Sequence, residues 1–160
     1  MTSTYQAVVR TDSVIRALVP EDLADVLEME VRSYSHPWSE AVFRDCFRPD
    51  YRLYACDCGA ALGGYAIVAY LFDEAHLLNL CVPPERRREG VGRQLLRYLI
   101  ARAAHEGMKQ ALLEVRVSNL SAIALYESEG FRGIGRRPGY YPAADGREDA
   151  SVMAIDLCVI

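Results

Sequence analysis

Hydrophobic and polar positions change their spacing several times along this chain, and each change marks an element. Val14 to Leu18 reads as a short strand. Pro20-Glu21-Asp22 then opens a helix, because Pro is tolerated in a first turn and acids suit its positive dipole end. Leu23, Val26, Leu27 and Glu30 continue it at helical spacing, and His36-Pro37-Trp38 breaks it. Ser39 caps a second helix through Phe47, with Val42, Phe43 and Cys46 on one face. The period then shortens. Residues 51–56, 61–72 and 76–82 read as three strands on short turns, an antiparallel meander.

After Pro83-Pro84 and a polar loop comes the clearest helix. Val91, Leu95, Leu96, Leu99, Ile100 and Ala103 form one apolar stripe, and Gly107 ends it. Gln110 to Val117 is a strand, Asn119 to Glu129 a helix stopped by Gly130, and 131–136 and 150–157 the last two strands, joined by a loop over 137–149. The order β-α-α-β-β-β-α-β-α-β-β predicts one mixed sheet with helices on its faces, an α/β (α+β) domain over 13–158. Residues 1–12 read as a loose N-terminal arm.

Composition narrows the class. With 51% hydrophobic and 25% charged residues in 160, the chain is a soluble globular domain. The apolar run from Ala60 to Phe72 is too short to span a bilayer, and the N-terminus lacks the order of a signal peptide, so a cytoplasmic protein with no membrane partner is expected. A net charge of −4 disfavours nucleic acid, whose phosphates call for a basic face. Five cysteines argue against a disulfide framework. Cys56 and Cys58 lack the further ligands of a zinc set, so no metal is expected.

Three segments carry candidate chemistry. Arg87-Arg88-Glu89-Gly90-Val91-Gly92 lies between a strand and a helix N-terminus, where glycines let backbone N–H groups approach an anion such as a pyrophosphate. It is also readable as a solvated basic cap. Glu114 follows two leucines inside a strand and is either a general base or the partner of an arginine. Tyr126, on the following helix, offers a phenol that either donates a proton or packs as an amphipathic core residue.

In this order and spacing the segments resemble the Gcn5-related N-acetyltransferase superfamily over nearly the whole chain. Arg87, Gly90 and Gly92 meet its Gln/Arg-x-x-Gly-x-Gly/Ala signature, residues 74–82 look like its bulged fourth strand, and Asn119 to Phe131 look like its last helix and following strand. Trp38-Ser39-Glu40, Tyr140-Tyr141-Pro142 and Arg147-Glu148-Asp149-Ala150 are similar to the bacterial branch that acetylates the N-terminal alanine of ribosomal small-subunit protein eighteen.

The resemblance implies a seven-stranded, mostly antiparallel sheet flanked by four helices, with acetyl-CoA in a gap between strands four and five. Backbone groups of Leu80, Cys81 and Val82 would hold the pantetheine, and those of Arg88, Glu89, Gly90, Val91, Gly92 and Arg93 the pyrophosphate. Asn119 would touch the CoA arm, Glu114 would act as base and Tyr126 as acid. Glu89 stands where the family more often carries Gly or a basic residue. The acceptor would be a ribosomal protein's N-terminal peptide, and the enzyme a monomer or weak dimer. Another peptide N-terminus, a lysine side chain or a small-molecule amine is the alternative acceptor, and an acyl-CoA-binding sensor the non-enzymatic one.

Overall fold

The computed structural model describes residues 13–158; the arm expected over 1–12 lies outside them. The order is β1 (Ser13–Ala17), a 3-10 turn at Pro20–Asp22, α1 (Leu23–Ser33), α2 (Glu40–Asp45), β2 (Tyr51–Cys58), β3 (Ala61–Leu71), β4 (Glu74–Cys81), a second 3-10 turn at Pro84–Arg86, α3 (Val91–His105), β5 (Gln110–Arg116), α4 (Leu120–Ser128), β6 (Arg132–Ala143) and β7 (Gly146–Asp156). The strands form one sheet in the order β1-β2-β3-β4-β5-β7-β6. Only β4 and β5 run parallel. The mixed sheet and four helices are as expected from the sequence.

Strand alternation sends side chains to two faces with different fates. On one, α3 buries Val91, Leu95, Leu96, Leu99 and Ala103 against Ala66, Val68, Leu77, Leu113 and Val115. On the other, α1 and α2 bury Leu23, Val26, Met29 and Phe43 against Ala55, Tyr65 and Ile67. That second core contains no residue of β5, β6 or β7, so the far half of this face carries no helix. Gly64 sets the spacing of the first face: a Cβ there would lie 2.9 Å from the Cys81 carbonyl oxygen and 3.1 Å from Val91.

Local expectations hold for the caps. The Ser39 hydroxyl accepts from the Val42 N–H at 3.4 Å, and Asn119 Oδ1 from the Ala122 N–H at 3.3 Å. Val42 itself is exposed, because α2 ends at Asp45 and turns only Phe43 inward. The loop expected over 137–149 is instead a long hairpin of β6 and β7. Gly135, Pro138, Gly139 and Pro142 hide the strand pattern, and the pairing to β7 shifts register between Gly133 and Gly135 and again between Arg137 and Tyr141. A bulge there lets proline and glycine stay within a strand.

Candidate active site

The site begins with a failure of pairing. β4 and β5 pair from Glu74 with Gln110 to Leu77 with Leu113, and no further. Just there β4 carries an extra residue: Ile67 of β3 faces Asn79 while Val68 faces Leu77, leaving Leu78 unmatched. A bulge bends its strand and re-aims it. Beyond it Leu78–Cys81 and Glu114–Arg116 diverge, leaving backbone groups of β4 unpaired on the β5 side, a ready strand edge for an extended polar ligand.

The splay opens toward the start of α3. Arg88 and Gly90 both adopt the left-handed region, at φ 64° and 84°. Such a turn curls successive N–H groups toward one point, an anion nest. The first bond within α3 runs from the Gln94 N–H to the Gly90 carbonyl at 3.0 Å. The N–H groups of Val91, Gly92 and Arg93 therefore have no partner inside the helix and point out of its positive end. The Arg93 guanidinium is committed elsewhere, to Ser128 Oγ at 2.9 Å and to Glu129, tying α3 to α4. Glu89 lies 4.0 Å from Arg86, which draws its charge aside from the nest.

Glu114 stands just past the last β4–β5 pair, and Tyr126 lies on the opposite face of the sheet. Val115 faces the α3 core, so its neighbour Glu114 faces the uncovered half of the sheet, its side chain 27% exposed. Arg137 Nε donates to its Oε1 at 3.0 Å, and the Tyr140 hydroxyl to its Oε2 at 3.1 Å. The arginine partner weighed from the sequence thus exists, supplied by the β6–β7 hairpin. A cavity of about 50 Å³ beside the carboxylate is lined by His76, Leu78, Leu112 and Arg137. A larger one, about 610 Å³, lies away from both residues, between α1, the β2–β3 turn and Arg86.

Tyr126 is buried on the other face, its ring 5.8 Å from that of Phe131. Among the described residues its hydroxyl has no hydrogen-bond partner. Burial pushes the phenol well above its ordinary value, so it keeps its proton at neutral pH.

Other expected site residues fall into place unevenly. The Leu80 carbonyl already accepts the Tyr34 hydroxyl at 2.6 Å. The Cys81 side chain turns into the α1–α2 core, where burial raises its thiol, unlike an activated nucleophile. Val82 packs at the edge of the α3 core. Asn119 spends its Oδ1 on capping α4. Among the described residues no group of three His, Cys, Asp or Glu side chains could hold a metal, and no helix is long and apolar enough to cross a membrane. Sequence reasoning did not single out Glu30 and Tyr34, which hydrogen-bond to β4, or Arg137, which pairs with Glu114. Glu30 had a signal: a carboxylate on the apolar stripe of α1.

The model of the acetyltransferase (GNAT) family matches residues 23–131. The chain belongs to that family. This GNAT protein is an acyltransferase whose sheet, splay and nest are the parts just described. A ribosomal protein bS18-alanine N-acetyltransferase of Escherichia coli is 40% identical over 143 residues, covering 89% of this chain and 97% of its own. A putative enzyme of the same name from Bacillus subtilis is 29% identical over 150 residues, 92% of this chain and 98% of its own. The crystal structure of the Escherichia coli ribosomal-protein-S18-alanine N-acetyltransferase superposes with a TM-score of 0.88 at 38% identity, over 92% of this chain and 96% of that one. An Arabidopsis thaliana GNAT-fold protein solved in complex with acetyl-CoA has a TM-score of 0.83 at 17% identity, over 91% and 98%, a likeness of fold alone.

Proposed function

We propose that this enzyme moves an acetyl group from acetyl-CoA to the α-amine of a protein N-terminus, with the N-terminal alanine of ribosomal protein bS18 as acceptor. The carrying observation is that Glu114 stands just past the last β4–β5 pair, at the splay, with Tyr126 on the opposite face of the sheet. Likeness to relatives of that name supports the choice of acceptor. The peptide would approach over the helix-free face, between Tyr34 and Trp38 on one side and Tyr140 and Tyr141 on the other. Aromatic walls suit an extended backbone.

The residues present fit acetyl-CoA. The unpaired edge of β4 from Leu78 to Val82 would hold the pantetheine, and the nest from Arg88 to Arg93 the pyrophosphate. When bound, acetyl-CoA supplies an activated thioester carbonyl. Gathering both reactants can contribute up to about 7–11 kcal/mol.

An α-amine titrates near ~8 and is largely protonated at neutral pH. Glu114 takes that proton, directly or through a water, on a lone pair that Arg137 and Tyr140 leave free. The amine nitrogen bonds to the acetyl carbon, gives its second proton to water, and the carbon–sulfur bond breaks. Tyr126 offers its proton to the departing sulfur. Burial holds the phenol protonated until the sulfur departs. Solvent then reprotonates Tyr126 and empties Glu114.

The test is acetyl-CoA turnover against a peptide beginning with alanine, the same peptide with a blocked N-terminus, a peptide whose only amine is a lysine side chain, and spermidine. Turnover of the free alanine peptide alone is the expected result. Preference for lysine or spermidine overturns the choice of acceptor.

A further inference from the structure

Glu30 is the most deeply buried charged side chain among the described residues, 1% exposed, yet the transfer steps above do not use it. Its Oε1 accepts the Trp38 N–H at 3.1 Å. Its Oε2 accepts the Asn79 Nδ2 at 3.1 Å and the Tyr65 hydroxyl. All three donors are neutral, and among the described residues no Arg, Lys or His pairs with the carboxylate. Burying a carboxylate among neutral donors costs more than burying an apolar side chain that would pack in its place, so it invites a functional reading.

What the carboxylate joins gives that reading. Trp38 belongs to the segment between α1 and α2 that walls the acceptor side. Asn79 is the first residue of β4 after the bulge, where the splay begins. The same segment is tied to β4 a second time, through Tyr34 and the Leu80 carbonyl at 2.6 Å. Both ties land on adjacent residues of the edge that would carry the thioester, one directly and one through Glu30.

We infer that Glu30 is a positioning residue for acyl transfer, locking the acceptor-side segment 34–38 to the splayed edge of β4. This rests on the reading of the splay as the acyl-transfer site. Displacement of a reactant by about 1 Å can cost about 10²-fold in rate, so a loosened tie shows in kcat/KM before it shows in folding. A merely structural carboxylate would move only stability.

Glu30→Gln keeps the shape but turns an amide N–H toward groups that are themselves donors. Its kcat/KM for the alanine peptide should fall about 10- to 100-fold, with acetyl-CoA affinity by calorimetry within about threefold and hydrogen exchange over 34–38 accelerated. Glu30→Gln/Asn79→Asp exchanges amide and carboxylate, restores one charge and the donor–acceptor match, and should recover most of the loss. If Glu30→Gln fails to fold, Asn79→Ala, which cuts only the β4 tie, is read the same way. A melting temperature that drops while kcat/KM stays within twofold overturns the inference. So does a double variant no better than the single one. Wild-type turnover judges the parent reading separately. If the wild type acetylates another amine, that amine replaces the peptide and the same criteria apply; if it acetylates none, the inference falls with the reading.

Discussion

The two halves of the sheet behave differently. β3, in the first half, buries six consecutive residues, Gly63 to Val68, because helices cover both of its faces. β6, in the second half, is exposed from Arg132 through Pro138. The first half is a scaffold whose side chains are spent on packing. The second keeps one face free, and there Glu114, Arg137, Tyr140 and Tyr141 meet. The splay between β4 and β5 is the seam between the halves, so the groups proposed to react sit where rigid packing meets open surface. The open half would give an acceptor room, and the closed half holds the edge that an acyl donor would lie on.

The comparison has measurable consequences. Glu114→Gln should lower kcat/KM about 10²–10⁴-fold at neutral pH, the scale of general-base catalysis. The loss should shrink as pH rises past the amine's own value near ~8, where the peptide deprotonates unaided. Because the pair with Arg137 is partly exposed, its loss should cost no more than about 1 kcal/mol of stability. A pH–rate profile with melting curves checks both, and an equal kcat/KM at every pH would make Glu114 a structural partner of Arg137.

Phe43→Ala, at 0% exposure in the closed half, should cost about 3–5 kcal/mol in urea melts. Ile134→Ala, 49% exposed in the open half, should stay within about 0.5 kcal/mol. Similar costs would erase the distinction between the halves.

At the seam, Tyr126→Phe should lower kcat about 10²-fold with acetyl-CoA affinity unchanged. The ring packing against Phe131 survives, and the hydroxyl has no partner to lose among the described residues. An unchanged kcat would leave Tyr126 a packing residue. The smallest effect is expected at the nest. Gly90→Ala forces a Cβ onto φ 84°, a cost of about 1–2 kcal/mol. Relaxation of the turn should weaken acetyl-CoA binding by up to about tenfold, read by calorimetry. Wild-type affinity would remove the nest from the phosphate site.

Much of this arrangement was legible along the chain. The apolar stripe of α3, the caps at Ser39 and Asn119, the glycine turn at Gly90 and the antiparallel meander all follow from neighbours a few residues apart. Periodicity, capping and backbone freedom act over that range. The far end of the β6–β7 hairpin was not legible. Residues 131–136 and 150–157 read as strands, but 137–149 read as loop, and only pairing across the hairpin extends the strands through its glycines and prolines.

The chemistry of individual side chains depended on longer distances. Whether Glu114 meets an arginine rested on the register that carries Arg137 and Tyr140 across the hairpin, with Tyr140 lying 26 residues away. Glu30 looked like one more position on a helical stripe; its partners Tyr65 and Asn79 stand 35 and 49 residues distant. Local sequence specifies which elements form, because hydrogen bonding and dihedral preference are satisfied within a turn or a strand. The company a carboxylate keeps is set by which faces are buried together and how strands align, and those follow from packing the whole chain.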